Sequence, residues 1–189
     1  LYSVPWPPQG LYFKKPVNSI ADTQGIKFRS YNSATARIAD LMGMAPVQVE
    51  AAELSQALST GVAEAFISSG STGYDRKVWE QLTHFYDAQA WLPRNFVFAN
   101  KGAFDGLSSQ NQNCLRSSGM LAQAAGTARA EQLAGWYLQQ LAANGMTVTA
   151  PSGQLVEDLQ KIGATMATEW AEAAGAEGLA LVEAYKASK

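Results

Sequence analysis

The chain has 189 residues, 47% of them hydrophobic and 16% charged, a balance that supports a packed core and excludes intrinsic disorder. A formal charge of −2 offers no basic surface for neutralising phosphates, so nucleic acid is not an expected partner. No apolar run is long enough to cross a bilayer, and the lone Cys114 excludes an intramolecular disulfide and a multi-cysteine metal site.

The first stretch, LYSVPWPPQGLYF, is rich in aromatics and prolines and reads as ordered structure. Opening at Leu1 without a methionine or a basic-plus-apolar signal segment, the chain is expected to be a processed protein or a fragment of a longer one. From residue 25 to residue 68 the elements alternate. Residues 26–30 (IKFRS) read as a strand, and SATARIADLMG reads as a helix with Ile38, Leu41 and Met42 on one face. Asn32 or Ser33 is the expected N-cap and Gly43 the C-terminal stop. Residues 46–50 (PVQVE) form a second expected strand, AAELSQALSTG a helix ending at Gly61, and VAEAFIS a third strand. Strands separated by helices of this length imply a β-α-β-α-β unit with parallel strands and right-handed crossovers.

After the polar turn SSGSTG, YDRKVWEQL is expected to be a short helix. The stretch from HFYDAQAWLP to RNFVFANKGAF is aromatic and extended, with a strand at residues 96–99. Residues 108–144 lack proline, and their second half, TARAEQLAGWYLQQLAANG, reads as a helix closed by Asn144 and Gly145. MTVTAP is a further strand. PSGQLVEDLQKIGATMATEWAEAAG reads as a helix capped by Ser152, and GLALVEAYKAS as a last one.

Catalytic and cofactor chemistry is sparse. One histidine, His84, and one cysteine leave no zinc-ligand pair, and neither HExxH nor GxxxxGK[ST] occurs, so no metal or cofactor is expected. SSGSTG follows a strand and precedes a helix, the arrangement of a phosphate site, but it lacks the lysine and the spacing of the known phosphate loops. Ser71 is flanked by Gly70 and Gly73, which is not the GxSxG spacing of a nucleophile elbow. A Ser68–His84–Asp87 triad can be written from composition, and a serine hydrolase using Ser68 or Ser71 is one alternative function. The other reading of His84 is an interfacial side chain beside Phe85 and Tyr86.

Binding is better supported. In an open parallel sheet, ligands sit beyond the carboxyl ends of the strands. Arg29 lies at one such end, just before a helix N-terminus, and its guanidinium fork suits a carboxylate. Asn32 and the helix-terminal amides add donors for the same anion, and Ser68 and Ser69 bring hydroxyls to another strand end. The expected ligand is a small organic anion. Spacing alone leaves a second reading equally open, in which Arg29 is a surface salt-bridge partner.

The order of these segments resembles the extracytoplasmic substrate-binding proteins of TRAP transporters, the dicarboxylate-binding DctP type. The family's DLKGLKxRVP segment has its counterpart in ADTQGIKFRSYN. Its following helix pattern has one in GMAPVQVEAAELSQALSTG, and its pocket-bound strand one in VAEAFIS. NFVFANKGAFDGL resembles the return strand and the start of the long helix. The resemblance implies a periplasmic-binding-protein-like α/β fold with a helix-rich C-terminal half and a long helix, the first lobe being largely absent. It divides the chain at residues 1–93 (second lobe), 94–133 (crossing strand and long helix of the first lobe) and 134–189 (return to the second lobe). It implies no enzyme activity but capture of an organic acid in the periplasm and delivery to a membrane permease pair. The arginine that pairs with the ligand carboxylate corresponds to Arg29, with Asn32 and Ser68 as further contacts.

Several positions depart from the family pattern. Tyr31 stands where proline is common. Ser68 replaces the asparagine of sialic-acid binders, and Gln9 falls where those binders carry a second arginine. One cation in place of two favours a monocarboxylate, with an apolar or aromatic body. The ligand-packing aromatic of those binders falls near Ala51 or Ala52, and Trp91 is the candidate to supply an aromatic wall instead. An effector-sensing α/β module of a regulator is the remaining alternative, although no helix-turn-helix is readable in the chain.

Overall fold

The structure, a computed structural model, describes residues 1–188. In chain order the elements are strands β1 (Tyr2–Pro5), β2 (Gln9–Phe13) and β3 (Lys27–Ser30), helix α1 (Ser33–Leu41), strand β4 (Ala45–Gln48), helix α2 (Leu54–Ser59) and strand β5 (Ala65–Ser69). Helix α3 (Gly70–Asp75), strands β6 (His84–Trp91) and β7 (Arg94–Val97), helices α4 (Lys101–Asp105) and α5 (Ser109–Ala143), strand β8 (Thr147–Thr149) and helix α6 (Gly153–Ala187) follow. These residues divide into two compact units: Leu1–Tyr12 with Ile67–Thr149, and Phe13–Phe66 with residues 150 onward.

In the second unit β3 lies between β4 and β5, parallel to both, with Arg29 opposite Val47 on one side and Phe66 on the other. This is the β-α-β-α-β arrangement read from the alternating pattern. Parallel strands of an α/β sheet are covered on both faces, and Phe28, Arg29 and Ser30 are all buried while Lys27 is exposed. Helix α1 lays Thr35, Ile38 and Ala39 inward, at the spacing that puts them on one helical face. Its end is a Schellman turn: Gly43 adopts φ +72°, its N–H donates to Asp40 O at 3.0 Å, and Met44 N–H donates to Ala39 O at 2.9 Å. The segment AAELSQALSTG begins as a 3-10 turn (Ala51–Glu53) and becomes helical at Leu54. Helix α6 buries Leu155, Asp158 and Ile162, and the buried Asp158 Oδ2 accepts Ile20 N–H at 3.1 Å. A two-pronged ion pair joins α1 to α6: Arg37 Nη2 lies 2.6 Å from Glu169 Oε1, and Arg37 Nε donates to Glu169 Oε2 at 3.1 Å. Gly175 breaks the helical run of α6 with φ 70°, ψ −154°, between the two helices that the sequence indicates.

In the first unit β2, β6 and β8 are successive neighbours, β6 and β8 pairing in parallel from His84↔Thr147 to Tyr86↔Thr149. A separate two-stranded ladder pairs β1 with β7 antiparallel, Tyr2 opposite Val97 and Pro5 opposite Arg94. Leu11, Tyr12, Ile67, Val78, Leu82, Phe85 and Leu141 are its most deeply buried side chains. Gly10 has no alternative residue: a Cβ there would lie 2.2 Å from Tyr86 O and 2.5 Å from the Phe85 ring. Two boundaries differ from the sequence reading. The helix expected over YDRKVWEQL instead starts at Gly70 and ends at Asp75, with a 3-10 turn at Val78–Glu80. The cause is Ser69, whose hydroxyl caps the helix by accepting Thr72 N–H and so starts it inside the glycine-containing turn. The strand expected at residues 96–99 pairs instead over Arg94–Val97, where β1 supplies partners.

Candidate functional site

Arg29 is the centre of the candidate site in the second unit. Although it is a cation, only 3% of its surface is exposed. Its Nε donates to Val49 O at 2.8 Å, just past β4, and its guanidinium carbon lies 4.8 Å from the centre of the Tyr31 ring. Burial pulls the Arg29 pKa down from its usual value, opposed by Tyr31 and Glu50. The ion pairs among the described residues are Arg37–Glu169, Lys101–Asp105 and Lys186–Glu183, and none of them engages Arg29. The surface salt-bridge reading of Arg29 is therefore wrong. Side chains of an inner parallel strand point to covered sheet faces and not to a surface carboxylate.

Asn32 follows at the start of α1. Its Oδ1 accepts Thr35 N–H at 2.8 Å, and Thr35 Oγ1 accepts the backbone N–H of Asn32 at 3.2 Å and of Tyr31 at 3.1 Å. This capping box fixes the turn that carries Arg29, Tyr31 and Asn32. The cap consumes Oδ1 of Asn32 and leaves the Nδ2 donor outside its work.

The other sequence-selected residues belong to the first unit. Ser68 is 5% exposed, and its Oγ donates to Thr72 Oγ1 at 2.9 Å. The Ser69 hydroxyl accepts Trp6 Nε1–H at 3.0 Å and lies 2.8 Å from Ser71 Oγ. Its carbonyl accepts the Tyr12 hydroxyl at 2.9 Å. Gln9, at the start of β2, is buried, and Trp91 closes β6 half-buried. The structure thus brings Arg29 and Asn32 together at one strand-to-helix corner and places Gln9, Ser68 and Trp91 in the other unit.

The serine-hydrolase arrangement is not assembled. The Ser68 hydroxyl hydrogen goes to Thr72, and His84 Nδ1 lies 2.7 Å from Thr83 Oγ1. His84 stacks on Tyr86, two residues on, whereas Asp87, three residues on, points to the opposite face of the strand. The interfacial reading of His84 is the one the geometry supports. SSGSTG is likewise spent on helix α3, with its N-terminal amide at Thr72 already facing the Ser69 hydroxyl.

Sequence reasoning gave Tyr31 no role beyond a departure from proline. The signal was available: Arg29 and Tyr31 are two apart, so an extended backbone sets them on the same side. Val49 O was missed because a backbone acceptor leaves no mark on the side-chain pattern.

A parallel β-α-β-α-β unit, a long helix and a site at a strand's carboxyl end define a periplasmic-binding-protein-like α/β protein. Residues 10–175 match the family described as bacterial extracellular solute-binding protein, family 7 (DctP), and the chain belongs to that family. It is 59% identical to a TRAP solute-binding protein from an unidentified marine metagenome microbe, specific for pyroglutamate and crystallised with co-purified pyroglutamate. The match has a TM-score of 0.92 and covers 98% of this chain and 61% of that one. DctP6 of Bordetella pertussis, an extracytoplasmic solute receptor binding pyroglutamic acid, is 44% identical with a TM-score of 0.93, over 98% of this chain and 62% of that one. The periplasmic ectoine-binding protein of the Halomonas elongata TeaABC TRAP transporter is 18% identical over 98% of this chain and 61% of that one, with a TM-score of 0.88, a likeness of fold. The chain thus spans about three fifths of the length of these proteins.

Proposed function

We propose that the chain is part of an extracytoplasmic TRAP receptor that binds pyroglutamate and delivers it to a membrane permease. The observation that carries the carboxylate half of this reading is Arg29: a cation 3% exposed, held by one backbone carbonyl, with no acidic side chain in ion-pair range among the described residues. A buried charge with no acid in direct contact, compensated in part by the longer-range attraction of Glu50, is costly, and a ligand carboxylate would supply a direct partner. Nε is used by Val49 O, which leaves the terminal nitrogens for the carboxylate, and Asn32, whose Oδ1 caps α1, keeps Nδ2 as a further donor for it. The identity of the acid comes from the relatives at 59% and 44% identity, whose bound or stated ligand is pyroglutamate. Pyroglutamate is a monocarboxylate whose ring nitrogen is a neutral lactam, which suits a site with one arginine. Gln9, Ser68 and Trp91 are proposed as further ligand contacts, each tested by its alanine variant.

The test is calorimetric titration of the complete gene product with pyroglutamate, glutamate, proline and pyroglutamide. Saturable binding of pyroglutamate, with pyroglutamide at least tenfold weaker, supports the reading. Equal binding of acid and amide would remove the arginine–carboxylate pair, and tighter binding of glutamate or proline would overturn the choice of acid.

A further inference from the structure

We propose that Tyr31 is a positioning residue for anion capture, holding the Arg29 guanidinium in place through its ring face without touching the ligand. The inference rests on the assignment of Arg29 to the ligand carboxylate.

Three observations lead to it. First, Arg29 is anchored at one atom by a single hydrogen bond, Nε to Val49 O at 2.8 Å. One bond fixes a point, whereas two-pronged carboxylate recognition requires a fixed plane. Rotation about that bond would swing both terminal nitrogens off the ligand. Second, the Tyr31 ring lies 4.8 Å from the guanidinium carbon, within the range in which an aromatic face attracts and stacks a guanidinium. The ring therefore supplies the second constraint. Third, Tyr31 is itself held. Its backbone N–H donates to Thr35 Oγ1 at 3.1 Å, inside the capping box that starts α1, so the ring stands on a helix terminus and not on a free loop.

The stacking also offsets the cost of keeping a cation buried while no ligand is present. An arginine stays charged at any ordinary pH, so the empty site keeps its cation. A site that holds its cation flat and charged before the ligand arrives avoids ordering it on binding, which is the gain of preorganisation. The role belongs to the ring face and not to the hydroxyl. Phenylalanine should preserve it and leucine should not.

The experiment is a double-mutant cycle on the complete gene product, read as pyroglutamate Kd by calorimetry. The variants are Tyr31→Leu, Tyr31→Phe and Arg29→Lys, with each Tyr31 change also made in the Arg29→Lys background. Lysine keeps a positive charge but has no planar face to stack. Tyr31→Leu is expected to weaken binding about three- to tenfold, the range for one cation–aromatic contact, and Tyr31→Phe less than about twofold. In the Arg29→Lys background, Tyr31→Leu should cost less than about twofold, because the partner it positions is gone. A merely structural role would lower Tm without this coupling. Equal losses from Tyr31→Leu in both backgrounds would mean that Tyr31 contacts the ligand directly, and no loss in either would mean that it does nothing; both results overturn the proposal. If Arg29→Lys alone leaves the Kd unchanged, the assignment of Arg29 has failed. That outcome is read from the single variant, separately from the cycle.

Discussion

Replacing Arg29 by methionine separates the two consequences of burying an unpaired cation. Methionine keeps much of the stem and removes the charge. At an effective dielectric of about 20, a guanidinium and a carboxylate 4 Å apart attract by about 4 kcal/mol. Truncating one member of such a buried pair costs about 2 to 5 kcal/mol in binding. That is roughly thirty- to several-thousandfold in Kd. The ligand-free protein should behave differently. Losing the charge-assisted bond to Val49 O costs about 1.5 to 3 kcal/mol, while removing a charge that is 3% exposed relieves a desolvation penalty of several kcal/mol. Arg29→Met is therefore expected to leave the unliganded Tm unchanged or higher, and to abolish the Tm rise expected of the native protein with saturating pyroglutamate. The assay is differential scanning fluorimetry with and without ligand, beside calorimetry for Kd. A ligand-induced Tm rise of undiminished size in the variant would refute the reasoning, as would a Kd within threefold of the native value.

Two further predictions concern the first unit. Burial raises the Tyr12 hydroxyl well above the usual tyrosine pKa while it donates to Ser69 O at 2.9 Å. A pKa raised on folding means that the stabilisation is intact below the unfolded value of about 10 and is lost as pH climbs through the folded one. Tyr12→Phe should lower stability by about 1 kcal/mol at neutral pH and flatten the alkaline fall in Tm; an unchanged alkaline slope would count against it. Gly10→Ala places a methyl group against Tyr86 O and the Phe85 ring, and should cost at least about 1 to 3 kcal/mol in urea unfolding. A neutral result would show that β2 and β6 separate more easily than their packing implies.

The legible parts of this molecule are those written in local chemistry. Asn32 announces the start of α1 and Gly43 its end. Gly175 marks the break in α6, and the β-α-β-α-β order follows from strands punctuated by such helices. Arg29 was legible as a candidate binding residue from its place at a strand end. Its burial was not, because that depends on β4 and β5 flanking β3, a consequence of pairing between distant segments. Gln9, standing where sialic-acid binders carry a second arginine, pointed to a monocarboxylate, in keeping with the acid that the relatives bind. The relatives' ligand carries a lactam ring in place of the expected apolar or aromatic body, and a neutral amide leaves no charge signature in a sequence. SSGSTG misled because glycines and serines serve turns, anion loops and helix caps alike. Only the Ser69 hydroxyl, facing Thr72 N–H, shows which of these operates.

The most direct test of the central claim is native mass spectrometry of the complete gene product, purified from cells and then saturated with pyroglutamate, for the native protein and for Arg29→Ala. A one-to-one pyroglutamate adduct, lost on denaturation, is expected on the native protein and none on the variant at the same concentration. An equally occupied variant, or a native protein that holds a different small molecule that pyroglutamate cannot displace, would contradict it.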